Sequence, residues 1–315
     1  MYNNEIEKYW TGRTDSTENR ASFRLHQIVK SITSDEVTTD TYDVAFVGFE
    51  CDEGVRRNKG RLGASQGPNA IRQSMSSLPH IFNENVKIAD IGNVQCQGTA
   101  LEEAQIELGN HVSKLLVNNT KCIVLGGGHE TLYGHYLGVR QAVGEDQKIG
   151  IVNIDAHFDL RDYDEQPSSG TMFKQILDDD VNASYFVCGI QRYGNTVELF
   201  ERAGDLGVTY LYEDEMTVET VETAFNDFSA KCDVILLTLC TDVLDAACAP
   251  GVSAPSPFGM HPKEVRSIIR FVTTNQKTTS FNICEVNPSL DPSGITVKLG
   301  AQLTNEAMVG LIRGK

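Results

Sequence analysis

The stretch "NIDAHFDLR", residues 153–161, sets Asp155, His157 and Asp159 at alternate positions. It completes the apolar run "KIGIVNI", which reads as a buried strand, so on extended backbone all three side chains address one face. Two carboxylates and an imidazole aimed at one point suit a divalent ion such as Mn²⁺, which accepts oxygen and nitrogen ligands. A solvated strand-to-helix loop is the competing reading of so short a motif.

Three further runs carry donors. In "VLGGGHET" (124–131) three glycines precede His129, and glycines permit tight turns and close backbone approach. A phosphate-binding loop would use the same residue types, but neither G-x-x-x-x-G-K-[ST] nor G-x-G-x-x-G is matched. "TLCTDVLDAACAPGVS" (238–253) ends an apolar run with Cys240 and Asp242 two apart, again on one face. Asp155, Asp159, Asp242, His129 and His157 then offer five oxygen or nitrogen donors and Cys240 a sulfur, enough for two ions sharing a bridging nucleophile. In "NICEVNPSLD" (282–291) Glu285 follows another apolar run. It reads either as half of a buried ion pair or as a carboxylate for a cationic amidine or guanidine.

Such residues meet only if a scaffold lines up several strand ends. Strands are expected at 44–48, 86–91, 122–125, 149–154, 185–188, 208–211, 234–239 and 279–284. Helices are expected at 68–76, 101–117, 130–143, 171–177, 196–206, 218–230, 262–272 and 301–312, with Pro68 and Pro262 in first turns. Alternation of this kind implies an α/β fold with a parallel sheet covered on both faces. Counting leaves an eight-stranded barrel and an open, doubly wound sheet both standing, and both place functional residues at the carboxyl ends of strands. One domain over 1–315 is expected, with residues 1–40 as a polar, irregular N-terminal segment in which "ITSDEVTTDTYD" (32–43) reads as surface.

The net charge of −16 argues against nucleic acid and anionic membranes as partners and leaves a small-molecule substrate. An anionic substrate is not excluded, because a few arginines can reverse the sign inside a pocket. With 40% hydrophobic residues and no apolar stretch of membrane-spanning length, the composition is that of a soluble globular chain. "MYNNEIEKYWTGRTDS" lacks the regions of a signal peptide, so a cytoplasmic location is expected. Eight cysteines without a C-x-x-C pair read as reduced core thiols, Cys240 excepted.

Together the four motifs resemble the arginase superfamily of manganese ureohydrolases, from "NKGRLGASQGPNAIR" (58–72) to "EVNPSLDPSGITVKL" (285–299). The resemblance implies an open three-layer α/β/α sandwich with a central, mainly parallel eight-stranded sheet, which removes the barrel. It implies two Mn²⁺ per subunit held by His129, Asp155, His157, Asp159 and Asp242, and a homo-oligomer. Asp159 and Glu285 would be catalytic, Asp159 relaying a proton and Glu285 also holding the substrate's cationic nitrogens. Cys240 stands where arginases have a bridging aspartate. Its soft sulfur implies one weaker metal site and sensitivity to oxidation.

Departures from arginase narrow the branch. Gly126-Gly127-Gly128-His129 replaces the usual G-G-D-H, and Phe173 stands where arginase places a proton-transferring histidine. Arg161 replaces an asparagine that contacts the amino-acid end of the substrate, and Arg192 in "CGIQRYGNT" falls near an aspartate that would hold an α-amino group. These features resemble the formimidoylglutamase branch, implying hydrolysis of N-formimidoyl-L-glutamate to L-glutamate and formamide in histidine degradation. A substrate with two carboxylates and no free α-amino group calls for arginines rather than acids. Arg161 is the first candidate for the carboxylate clamp and Arg192 the second, with Ser169 and Thr171 as hydroxyl donors. The competing readings are an agmatinase or guanidino-acid hydrolase, a catalytically silent scaffold, and an enzyme using Cys240 as nucleophile.

Overall fold

The structure, a computed structural model, describes residues 1–38, 40–164 and 166–314. Ten strands form one sheet: β1 (Tyr2–Asn3), β2 (Val29–Ser31), β3 (Val44–Glu50), β4 (Ile88–Gln95), β5 (Lys121–Leu125), β6 (Ile149–Ile154), β7 (Ala183–Ile190), β8 (Thr209–Tyr212), β9 (Val234–Cys240) and β10 (Thr278–Cys284). The helices are α1 (Glu53–Arg57), α2 (Gly67–Ser76), α3 (Leu101–Val117), α4 (Thr131–Val143), α5 (Met172–Asp179), α6 (Val197–Asp205), α7 (Val218–Ser229), α8 (Pro262–Thr273) and α9 (Ile295–Arg313).

The eight expected strands are β3 to β10, all parallel, in the order β4-β3-β5-β10-β9-β6-β7-β8. The sheet is open, with β8 at one edge. At the other edge β1 adds antiparallel and β2 parallel to β4. Alternate side chains feed two cores. Val44 and Phe46 face a layer with α2, α7, α8 and α9, and Ala45 and Val47 face one with α3, α4, α5 and α6. Burial of each large apolar side chain contributes roughly 1.5–3 kcal/mol, so continuous apolar strands buried on both faces are what hold this three-layer sandwich together.

Three features lay outside the expectations. Residues 1–38, polar overall, still contribute to the core: Ile6, Trp10, Leu25, Val29 and Val37 are buried. Trp10 Nε1 donates to Asp90 Oδ2 at 2.8 Å, and Asp90 is ion-paired with the fully buried Arg72 at 2.6 Å. Isolated apolar residues in a polar stretch carry no periodicity, so their burial was invisible. The short α1 was likewise not expected. Finally, α9 begins at Ile295, not Ala301, because Gly300 reads as a breaker yet packs closely on Val286 and Ile283.

Candidate metal centre

The four donor motifs leave the carboxyl ends of β5, β10, β9 and β6, which are neighbours in the sheet. His129 follows β5, Glu285 follows β10, Cys240 ends β9 with Asp242 just beyond, and Asp155, His157 and Asp159 follow β6. Asp159 (φ 50°) and Glu285 (φ 67°) adopt left-handed backbone. For a non-glycine residue this costs about 1–2 kcal/mol, and such strain persists where the surroundings over-determine the conformation. Glu285 is held from both sides: its N–H donates to Gly127 O at 2.8 Å, and its Oε1 accepts from the His129 N–H at 3.0 Å.

The three glycines serve close approach. A Cβ on Gly127 would overlap the Cys51 carbonyl oxygen, which accepts the Gly128 N–H at 3.0 Å. A Cβ on Gly128 would overlap Glu130 Oε2, so the buried Glu130 carboxyl occupies the room an aspartate would need. This accounts for G-G-G-H in place of G-G-D-H.

His129 Nδ1 lies 3.0 Å from Asp155 Oδ2 and 2.9 Å from Asp159 Oδ2. His157 Nδ1 lies 3.3 Å from Asp242 Oδ2 and 3.6 Å from Asp155 Oδ1. Burial opposes a charge on His129, but hydrogen bonds to Asp155 and Asp159 outweigh it and push its pKa up to about 10. His157 is raised against burial chiefly by Asp242. Burial, and then Asp155, lift Asp159 above the ordinary carboxylate range. Burial and the neighbouring carboxylates push the Cys240 thiol and the Glu285 carboxyl well up. A thiol held protonated in this way is the opposite of an activated cysteine nucleophile.

These are the marks of a site built for cations. His129–Asp155–Cys240 and Asp155–His157–Asp242 each bring their ligand atoms within 4.8 Å of one another, with Asp155 common to both. Asp242 Oδ1 is buried without a hydrogen-bond partner, an arrangement that costs roughly 1–3 kcal/mol or more unless something satisfies it. A pair of divalent ions fits this donor set and would reverse the raised carboxyl and thiol pKa values.

Over the donors lies a pocket lined by His129, His157, Asp159, Cys240, Asp242 and Glu285, with Arg161 and Ser169 on its wall. The Arg161 guanidinium makes no ion pair among the described residues, although the chain carries a net charge of −16. The Arg161 backbone N–H donates to Gly170 O at 2.9 Å, which sets the residue beside Ser169. The wall also includes Asn58, which the sequence reading did not single out. Its Nδ2 donates to Ser169 Oγ at 3.2 Å. Arg57 holds that wall together through Glu53 at 2.9 Å, Glu102 at 2.5 Å and Pro167 O at 3.1 Å.

Two candidates do not join the pocket. Thr171 is buried and spent locally, accepting from Ser168 N at 2.9 Å and Gln175 Nε2 at 2.7 Å. Arg192 stacks on Tyr212 at 3.6 Å and pairs with Asp214 and Glu215, so its charge is taken up at the end of β8. Phe173 lies behind the donors, its ring edge on His129 with centroids 5.7 Å apart.

Residues 42–310 match the arginase family. The chain belongs to that family. It is 58% identical over 320 residues to the formimidoylglutamase of Lysinibacillus sphaericus, covering 100% of this chain and 99% of the relative. This arginase-family chain also superposes on the crystal structure of formimidoylglutamase from Bacillus subtilis (TM-score 0.82, 21% identity, 98% of this chain and 99% of the other). A third match is Trypanosoma cruzi formiminoglutamase crystallised with Mn²⁺ (TM-score 0.81, 22% identity, 92% and 98%). At these identities the two structures establish the arginase-family fold alone. No helix among the described residues is long and apolar enough to cross a membrane.

Proposed function

We propose that this chain hydrolyses N-formimidoyl-L-glutamate to L-glutamate and formamide, as a step of histidine catabolism, with Mn²⁺ as its cofactor. The observation that carries this reading is the Arg161 guanidinium, without an ion pair among the described residues, on the wall of a pocket whose floor is a cluster of carboxylates and imidazoles. That polarity matches a molecule with carboxylates at one end and an amidine at the other. The names of the relatives support the same substrate.

His129, Asp155, His157, Asp159 and Asp242 would hold two ions, with Cys240 at the remaining position. When bound, such ions supply Lewis acidity and acidify a water at neutral pH. Arg161 grips a substrate carboxylate through paired hydrogen bonds, supported by Ser169 and Asn58. Glu285, fixed by the His129 N–H, accepts from the amidine nitrogens and stabilises their positive charge as the formimidoyl carbon becomes tetrahedral. Asp159 takes a proton from the attacking water and delivers it to the departing glutamate nitrogen. Water adds across the C–N bond, and the two halves leave as glutamate and formamide.

Purified enzyme with Mn²⁺ should release formamide from formimidoylglutamate far faster than urea from arginine or agmatine. Faster urea release would transfer the assignment to a guanidine-hydrolysing branch.

A further inference from the structure

Behind the glycine loop lies a second thiol pair. β3 and β4 are in register through Phe49↔Val94 and Glu50↔Gln95, and Phe49 and Val94 face the same core. Just past the strand ends, after a tight turn in which the Cys51 N–H donates to Phe49 O at 3.0 Å, Cys51 and Cys96 pack toward that core as well. The Cys96 N–H donates to Glu50 O at 3.2 Å, which keeps the two segments side by side past the strand ends. Neighbouring strands lie about 4.8 Å apart, inside the roughly 4.4–6.8 Å Cα separation of a disulfide. Both thiols are free and pack on the same flank of that core. Cys51 is buried, whereas Cys96 is partly exposed in an open cleft of about 760 Å³ lined by side-chain amides, among them Asn3, Asn69, Gln73 and Gln97.

We propose that Cys96 is an exchange site for low-molecular-weight disulfides, with Cys51 closing the product to a Cys51–Cys96 disulfide. The Cys96 thiolate attacks one sulfur of RSSR, forming Cys96–S–S–R and expelling RS⁻. Cys51, giving up its proton to that thiolate, then attacks the Cys96 sulfur and expels the second RS⁻. The two protein thiols are oxidised, RSSR is reduced to two thiols, and the protons released go to the leaving sulfurs. The neighbouring Cys51 thiol, and then Arg57, hold the Cys96 thiol below the ordinary cysteine range, which suits it as the attacking sulfur. The Cys96 thiol is in turn the largest cause of the raised Cys51 pKa, an influence the mixed disulfide changes. The amides of the cleft suit a peptide-like disulfide.

Closure reaches the metal centre through the backbone. Cys51 O accepts the Gly128 N–H at 3.0 Å and presses on Gly127, whose carbonyl accepts the Glu285 N–H at 2.8 Å. A disulfide at Cys51 constrains the residue that holds this loop, and His129 comes next in the chain. Exchange itself does not depend on the hydrolase reading; only this consequence concerns the metal centre.

The test treats the full chain with oxidised glutathione, alkylates the remaining thiols and maps the peptides. A Cys51–Cys96 cross-link reversible by dithiothreitol is expected, with C51S stopping at glutathionylated Cys96. Mn²⁺ affinity of the cross-linked chain should fall by about 10- to 100-fold, the range for loss of support around ligands, and C96S should be protected from that fall. Finding Cys51 and Cys96 both alkylated while other cysteines carry glutathione would overturn the proposal. An equal loss of Mn²⁺ affinity in C96S would overturn the coupling to the metal centre and place the sensitive thiol elsewhere.

Discussion

Asp242 Oδ2 lies 3.3 Å from His157 Nδ1, while its Oδ1 is buried without a partner. A carboxylate poised this way beside an imidazole has the donor chemistry of a metal ligand. Asp242→Asn should therefore weaken Mn²⁺ binding and lower kcat by at least about 100-fold, beyond the effect of losing a supporting partner. Isothermal titration with Mn²⁺ checks the first effect and formamide release the second. A variant with unchanged Mn²⁺ affinity would remove Asp242 from the ligand set.

Cys240 groups with His129 and Asp155 at the position of the softest donor. Manganese prefers oxygen, so Cys240→Asp should tighten the weaker Mn²⁺ site by about tenfold, and Cys240→Ala should loosen it. Electron paramagnetic resonance of free Mn²⁺ during titration reads both directions. Weaker binding in the aspartate variant would show that the sulfur is the better ligand here.

Arg161 and Arg192 separate on the structure, one unpaired at the pocket and one paired at the end of β8. A hydrogen bond to a charged group contributes roughly 1.5–3 kcal/mol, so Arg161→Ala should raise KM for formimidoylglutamate about 10- to 100-fold with a smaller change in kcat. Asn58→Ala should raise it a few-fold, and Arg192→Ala should leave it within about twofold, as expected for an exposed ion pair. Steady-state kinetics on the three variants ranks them, and a large effect confined to Arg192→Ala would reverse the assignment.

His135 is fully buried between Asn282 Oδ1 at 2.9 Å and Ser280 Oγ at 2.7 Å, and burial lowers its pKa to about 4. An unfolded histidine titrates near ~6.5, so between these values the unfolded chain binds a proton that the folded chain does not. The associated stability is complete above the unfolded value and is lost as pH falls toward the folded one, by about 3 kcal/mol in all. Denaturant titrations should show this slope in the parent chain and lose it in His135→Gln. Equal slopes would mean that His135 titrates alike in the folded and unfolded chain.

The donor motifs were legible because each closes an apolar run, where a change from buried to polar residues marks a strand end. What lay beyond the sequence was adjacency: nothing in it says that β5, β10, β9 and β6 are neighbours, since the sheet order arises from packing. The five residues of α1 carry too little periodicity to announce a helix, and Asn58 and Arg57 were missed with it. That Arg192 lies outside the pocket was not legible, because its partners Asp214 and Glu215 come from the turn after β8. Trp10 was missed because a single aromatic residue in a polar stretch gives no sign of the core that will receive it.

The most direct test of the central claim is formamide release from formimidoylglutamate by chelator-stripped enzyme as Mn²⁺ is added back. The rate should rise from near zero and level off once two Mn²⁺ per chain are bound, as the shared Asp155 and the two donor sets require. Full formamide release by the stripped enzyme, or none after Mn²⁺ is restored, would contradict it.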